Sequence, residues 1–592
     1  MVFSYRKDEE PFRIFEIDID PAAGKMIPGS LRQLTFGGEA EAEALACQFG
    51  GAKRRFHDMD PCYLPNGKII FASTRTQGIV FCSPGASVTT LHVMDADGKN
   101  LRRLSESPVS ETAPSMMEDG RVLYTRWEYV DKGLGNGQAL WTVRPDGSGV
   151  DHFYKNNTIW PAGMSSARGI PGSRKIVTIG GGHHFTAVGT VVLVDARRSR
   201  RTAEAMTCLT PELGYPPLYG YPKTRFGTFM DPYPFSEKLF LVSHKLGVKR
   251  EGGSGYGIYA LDSWGNRAEI YRDPKLSCFQ ATPLRPRPTP TELASLADIK
   301  EQTSLADVPE EAKQATLFIQ DIYQGMTGIE RGRVKYVRVT GALQWPWSEN
   351  GISWRIGIHA DPHRKRIYGI AKVHEDGSCY FKAPANKNLF FQALDENYMV
   401  LQHMSTFVNL MPGERRSCVG CHELRRNAPG IAGARPLAMN YPVQPLVPQP
   451  GDKGVRMVHY EADVQPALDK HCVGCHSGEN AKGRLDLSGV ATTRYNRSYE
   501  NIINRGLVNY RDCMGGRAGF RSVPPLTHGS HRSKLVDRIR KAPCKSNLTQ
   551  EEFIKIVTWI DVNVPYYGTY HGKRDPKHKD APDFRPVPLA GK

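Results

Sequence analysis

What the 592-residue chain lacks narrows its class first. No stretch approaches the roughly 18 to 20 uncharged apolar residues of a membrane-spanning helix, so no membrane span is expected. The opening residues, MVFSYRKDEEPFRIFEIDID, lack the apolar core of a secretory signal and read as a strand entered directly, as in a mature or trimmed chain. Charge of one sign is nowhere concentrated. The 78 basic and 61 acidic residues give a net +17, but the basic ones are spread along the chain and form no nucleic-acid arm. No nucleic-acid partner is expected. The excess fits either a solvated basic surface or steering toward an acidic redox partner. Disorder is excluded as well, because 40% hydrophobic and 23% charged residues is an ordinary globular composition. The length implies two to four domains.

Close repetition is scarce, with one exception. Cys-Val-Gly-Cys-His occurs in ERRSCVGCHELRRNAPG (414–430) and again in KHCVGCHSG (470–478). Two thiols separated by two residues reach both vinyl groups of a haem while the adjacent histidine faces the iron. Cys418 and Cys421 with His422, and Cys472 and Cys475 with His476, therefore read as two covalent c-type haem sites. About four propionates would offset part of the positive charge. Such attachment is done outside the cytoplasm, where disulfides also persist, so a periplasmic or other extracytoplasmic location is expected. A zinc knuckle is the competing use of these residues. The other eight cysteines (Cys47, Cys62, Cys82, Cys208, Cys278, Cys379, Cys513 and Cys544) are scattered; Cys62 with Cys82 and Cys513 with Cys544 could be bridged.

Ahead of the motifs, one pattern recurs: an alternating strand, an Asp-rich turn and a polar, Arg-rich strand. LHVMDADGKNLRRL (91–104), LWTVRPDGSGVDHF (140–153) and IYALDSWGNRAEIY (258–271) show it. Turn-plus-apolar-strand segments lie between, with starts at Asp60, Ala113 and about Ser166 spaced by roughly 53 residues. Asn-Gly and Asp-Gly between β-rich runs are hairpin turns, and a repeat near 50 residues with about four short strands is the mark of propeller blades. The repeats resemble the PD40 (TolB-like) β-propellers over most of residues 12 to 340. Five units are clear, and a sixth includes ATLFIQDIYQG (315–325), giving six blades or seven. FHDMDP (56–61) sets His57 and Asp58 near a blade channel, as catalytic or metal contacts or as partners of blade turns; His183 and His184 of GGGHHF share that choice.

The expected architecture is mainly β with an α C-terminal domain. Residues 1–345 form the propeller and 346–417 a small β-sandwich module. Residues 418–457 hold the first haem motif and a Pro/Gly-rich wrap, and 458–592 form a class I-like cytochrome c domain. In the module, His403 reads as a packed histidine rather than a ligand. In the last domain, EADVQPALDKHC (461–472) reads as a helix carrying Cys472. LTQEEFIKIVTWIDVNV (548–564) reads as a second helix opened by a Thr549/Glu552 capping box, with Phe553, Ile556, Val557 and Ile560 on one face. The loop between them offers Met514, His528 and His531 as sixth iron ligands, and His531 is slightly preferred over His528.

The order of these parts resembles the hydrazine synthase α-subunit family, through HDMDP, FFQALDENYMVLQHM…GERRSCVGCHE and WIDVNVPYYGTY (559–570). The resemblance implies a catalytic first haem beside the propeller and a second, bis-His haem passing electrons. It implies chemistry on nitric oxide, hydroxylamine and ammonia, alongside other subunits and redox partner proteins. It also implies a first iron held by a tyrosine soon after the motif, with the motif histidine, here His422, turned to zinc; a zinc or calcium ion is thus a further expected cofactor. The sequence departs from that pattern, since 423–440 contains no tyrosine and the first downstream is Tyr441. Either His422 ligates the iron or a tyrosine such as Tyr441 arrives. The alternative to an enzyme is a dihaem electron-transfer protein that uses the propeller as a docking platform.

Overall fold

The computed structural model describes residues 1–38, 48–49, 52–53, 55–81, 83–128, 130, 133–155, 157–219, 226–247, 255–297, 313–345, 356–358, 363–421, 435–512, 522–541 and 547–588. His422, Met514, Arg425, Arg426, Cys47, Cys82, Cys513 and Cys544 lie outside the described residues.

Four antiparallel four-stranded meanders follow one another. The first comprises Asp58–Tyr63, Ile69–Ser73, Thr90–Met94 and Arg102–Arg103, and the second Glu111–Met116, Val122–Trp127, Gln138–Val143 and Asp151–Tyr154. The third comprises Gly163–Gly169, Ile176–Gly181, Gly189–Val194 and Met206–Cys208, and the fourth Thr228–Pro234, Leu239–Lys245, Gly257–Asp262 and Arg267–Tyr271. A three-stranded sheet of Val2–Tyr5, Arg13–Glu16 and Arg32–Gln33 precedes them.

The repeat has a backbone signature. The first strand of every meander bulges, and at each bulge a non-glycine residue takes a left-handed φ: Asp60 (54°), Ala113 (52°), Ser166 (49°) and Asp231 (47°). Such conformations persist only where surrounding structure fixes them. Here each first strand braces the next. Asp60 Oδ2 accepts from the Ala113 amide at 3.1 Å, Ser115 Oγ donates to Ala167 O at 2.6 Å, and Ser166 Oγ donates to Asp231 Oδ1 at 3.1 Å. The first strands are thus neighbours, as the inner strands of a propeller are. Burial raises the pKa of both carboxyl groups, and Arg168 opposes it. Cys62, on the same inner strand, is a free thiol.

The segment expected to make a sixth blade goes elsewhere. Gln314–Ile319 pairs antiparallel with Cys379–Pro384 and parallel with Arg415–Cys418. Tyr336–Leu343 lies in a five-stranded sheet with Arg364–Lys372, Leu389–Leu394, Val400–His403 and Arg456–Met457. Both sheets share one core, including Leu317, Val339, Phe381 and Leu401. The β-module therefore begins near 314 rather than 346. Alternation marks a strand but not its partners, and these partners are 60 to 100 residues away. Burial pushes the Cys379 thiol in this core up to about 12, as befits an inert structural cysteine.

The C-terminal part is helical: α1 (Tyr460–Asp463), α2 (Gln465–His471), α3 (Arg497–Asn504), α4 (Lys534–Arg540) and α5 (Gln550–Asp561). The helix expected over 461–472 is split in two at Val464, because Pro466 stands in the first turn of α2 and has no amide to continue α1. The second expectation holds closely. Thr549 and Glu552 form the capping box of α5, Ile556, Val557 and Ile560 are buried, and Phe553 packs against them. Among the described residues no helix is long and apolar enough to cross a membrane.

Candidate functional site

The second Cys-Val-Gly-Cys-His follows directly on α2, with Cys472 as the residue that caps it. Cys472 N donates to Leu468 O at 2.8 Å, and the His476 amide reaches Cys472 O at 3.0 Å. Both cysteines therefore stay on one helical turn. His476 Nδ1 lies 3.2 Å from Leu485 O, so its proton is donated there and Nε2 is left for a metal. Cys472 and Leu485 pack against the aromatic core of the helical domain, which includes Tyr460, Tyr499, Trp559 and Tyr566. At the crossing with α5, Lys470 Nζ and His471 Nε2 meet the Glu552 carboxylate at 3.1 and 3.0 Å. Burial alone would raise the Glu552 pKa; the Thr549 amide, Lys470 and His471 outweigh it and hold the carboxyl down at about 2. Two thiols on one turn beside an oriented imidazole fit covalent haem attachment.

The first copy is built differently. Cys418 ends an edge strand and its carbonyl accepts from Gln320 N at 2.9 Å, while Val419 O accepts from Asp321 N at 3.0 Å. Gly420 then presses on the turn at 321–324. A Cβ there would lie 2.3 Å from Gln324 Cβ and 2.6 Å from its carbonyl oxygen. Cys418 and Cys421 rest against the module core beside Tyr323. The incoming strand is fixed to the propeller. Buried Glu414 accepts from Gly149 N at 3.1 Å, Met411 N at 2.8 Å and Arg416 Nη2 at 2.9 Å, and Arg416 Nη1 donates to Val150 O at 2.9 Å. A second clamp is Arg126, fully buried between Trp141 (3.4 Å) and Phe407 (3.9 Å), paired with Glu128 and donating to Phe407 O at 2.9 Å. The Glu414–Arg416 pair was legible only as i, i+2 residues on one strand face.

Other candidates are placed as follows. Asp58 is buried and held by Arg75 (2.7 and 3.0 Å) and Ser73 Oγ (2.7 Å), which is a strap within the first meander. His57 Nδ1 accepts from Phe12 N at 3.4 Å. Tyr441 is 57% exposed and stacks on His374 at 5.0 Å. The turn carrying His374 packs on the 321–324 turn, where a Cβ on Gly377 would meet Asp321 Oδ1 at 2.5 Å. His183 and His184 gather with Tyr219 and Trp127 rather than with either motif; burial pushes His183 down to about 4. His531 Nε2 is 3.1 Å from Asp395 Oδ2, and the His528 ring meets that of His403 at 6.1 Å. Among the described residues no three His, Cys, Asp or Glu side chains converge as a cage for a lone metal ion.

A propeller-like β domain joined through a β-module to a helical domain, with one Cys-Val-Gly-Cys-His on each of the last two, defines the class. Comparisons narrow it. Residues 332–423 match the hydrazine synthase alpha subunit middle domain. Hydrazine synthase subunit alpha of Kuenenia stuttgartiensis is 23% identical over 458 residues, 58% of this chain and 55% of that protein, so the chain spans about half the length of that relative. The solved Kuenenia stuttgartiensis hydrazine synthase aligns over 100% of this chain and 88% of the solved one, at 18% identity and a TM-score of 0.72. Residues 332–423 thus resemble that family's middle domain, and the chain as a whole shares the fold of the solved synthase.

Proposed function

We propose that the chain is an extracytoplasmic dihaem c-type oxidoreductase subunit acting on small nitrogen compounds, among them nitric oxide, hydroxylamine and ammonia. The haem carried by Cys418 and Cys421 is the reactive centre, and the one carried by Cys472 and Cys475 is the electron relay. One observation carries this reading: two identical pentapeptides stand in opposite settings, one strapped to a propeller-like domain and one closing a helical turn. The family match supports it, since the middle domain it covers runs through Cys418, Cys421 and His422.

When bound, a haem supplies an iron that exchanges single electrons and takes small ligands. The chain's own groups do the rest. Cys472 and Cys475 anchor the relay from one helical turn, and His476 offers Nε2 while Leu485 O holds its other proton. Glu414 and Arg416 fix the strand that ends in Cys418 against the propeller. His422 or Tyr441 is the iron ligand of the first haem. In this reading residues 458–592 form the cytochrome domain, and other subunits and a redox partner complete the assembly.

The test is spectroscopic. Protein matured in a host that attaches c-type haem should carry two covalent haems by haemochrome and mass, and Cys418→Ala/Cys421→Ala and Cys472→Ala/Cys475→Ala should each remove one. One haem should show a high-spin ferric EPR signal that shifts with nitric oxide or hydroxylamine. Two low-spin haems that ignore both ligands would instead make the chain an electron-transfer protein docking through its propeller. Absence of covalent haem in that host would sink both readings.

A further inference from the structure

The β-module reaches into the helical domain through a chain of fixed hydrogen bonds. Arg338 is fully buried and donates to Gln449 Oε1, Gln392 Oε1, Tyr398 O and Thr558 Oγ1, each at 3.0 Å. A guanidinium only donates, so the oxygen of Gln392 must face it. Gln392 Nε2 then points the other way, to Asp561 O at 2.6 Å and His403 Nδ1 at 3.2 Å. An amide nitrogen cannot accept, so His403 Nδ1 must, and the imidazole proton resides on Nε2. Buried His403 meets the His528 ring edge-on, at 6.1 Å and 67°, across a cavity of about 10 Å³ walled by Tyr510, Arg511 and Ile560. That is room for one water.

His528 is held from both sides of the backbone. Leu526 N donates to Leu401 O at 3.0 Å. Gly529 has φ of 75° and no space for a Cβ, which would lie 2.6 Å from Asp561 Oδ1; Ser530 N and Oγ donate to Asp561 at 2.7 and 2.9 Å. The neighbouring His531 Nε2 lies 3.1 Å from Asp395 Oδ2 on the module, without hydrogen-bond geometry. Of the two loop histidines, His531 stands beside a carboxylate and His528 faces a ring of known tautomer.

We propose that His403 is a positioning residue: its Nε2–H, through a single water in that cavity, orients His528 as the distal ligand of the second haem. This rests on the reading of Cys472–His476 as a haem site, and deepens it by making the module set the ligation of a haem attached elsewhere. A metal-binding imidazole typically has its other nitrogen fixed by such a partner, which sets ring orientation and basicity.

The test uses the holoprotein. His528→Ala should turn the second haem from low-spin to high-spin in EPR, and added imidazole should restore it. His403→Phe should keep two covalent haems by haemochrome but give that haem a mixed spin state and a raised midpoint potential. His403→Gln, which keeps a side-chain donor, should recover most of the low-spin signal, and His403→Leu takes the place of the Phe variant if that one does not fold. An unchanged low-spin spectrum and potential in His528→Ala overturns the distal assignment. A shift in His528→Ala with none in His403→Phe overturns the positioning role. Failure of the underlying haem reading looks different: the haem count itself falls short of two.

Discussion

The two Cys-Val-Gly-Cys-His copies share five residues and almost nothing of their surroundings. In the second, the backbone links are local: amides bond to carbonyls three to five residues back, and a Cβ on Gly474 would meet nothing within 4 Å. In the first, each link is distant: the strand pairs with one about a hundred residues earlier, Gly420 is pressed on the turn at 321–324, and Glu414 and Arg416 bond to the second meander. The same pentapeptide is thus a self-supporting turn in one place and a joint between domains in the other. Identity of motif fixes which atoms are offered; the setting decides what they can be coupled to.

The contrast can be broken by substitution. The largest effect is expected at Glu414→Ala, which leaves Arg416 and two backbone amides without their buried carboxylate. It should destabilise by about 3–5 kcal/mol in chemical denaturation, and a loss below about 1 kcal/mol would show that the joint is not needed. Next, Gly420→Ala drives a methyl group into backbone atoms and should cost about 1–3 kcal/mol. Thr549→Ala removes the cap of α5 and should cost about 0.5–2 kcal/mol, read as a lowered melting temperature.

Glu552 adds a pH signature to the helical domain. Its carboxyl is held at about 2 against an ordinary 4.5, so its contribution is complete above about 4.5 and is lost as pH falls toward 2. Glu552→Gln should flatten the acid limb of a thermal melt between those values; an unaltered limb would remove Glu552 from the account. The smallest effect is expected at Gly474→Ala, within about 0.5 kcal/mol of the parent. If Gly474→Ala and Gly420→Ala cost the same, the two settings are not as different as they look.

Legibility followed the same division. The meanders could be read because Asn66-Gly67, Asp97-Gly98, Asp119-Gly120 and Asp146-Gly147 are local turn signals, and their glycines do take φ of 80 to 95°. The capping box of α5 and its buried face were equally local. Gln314–Ile319 was misplaced as a blade strand because alternation is blind to partners, and Pro466 was passed over inside an otherwise helical pattern. The link from Arg338 through Gln392 to His403 and His528 could not be read at all. Its hydrogen-bonded steps span 54 and 11 residues, and nothing in the sequence around Gln392 marks an amide whose orientation sets a tautomer.

The parallel pairing of Gln314–Ile319 with Arg415–Cys418 also has a temporal side. A chain made from its N-terminus presents the earlier strand long before the later one exists. That strand can join Cys379–Pro384 on one side, but its other edge stays open until the cysteine-bearing strand arrives. Closing so wide a loop is slower than winding a helical turn. Cys418 and Cys421 are therefore among the last residues of their sheet to be immobilised, while Cys472 and Cys475 are set as soon as α2 winds. One polypeptide holds two copies of the same motif that are ordered on different clocks, and the slower one is where the domains meet.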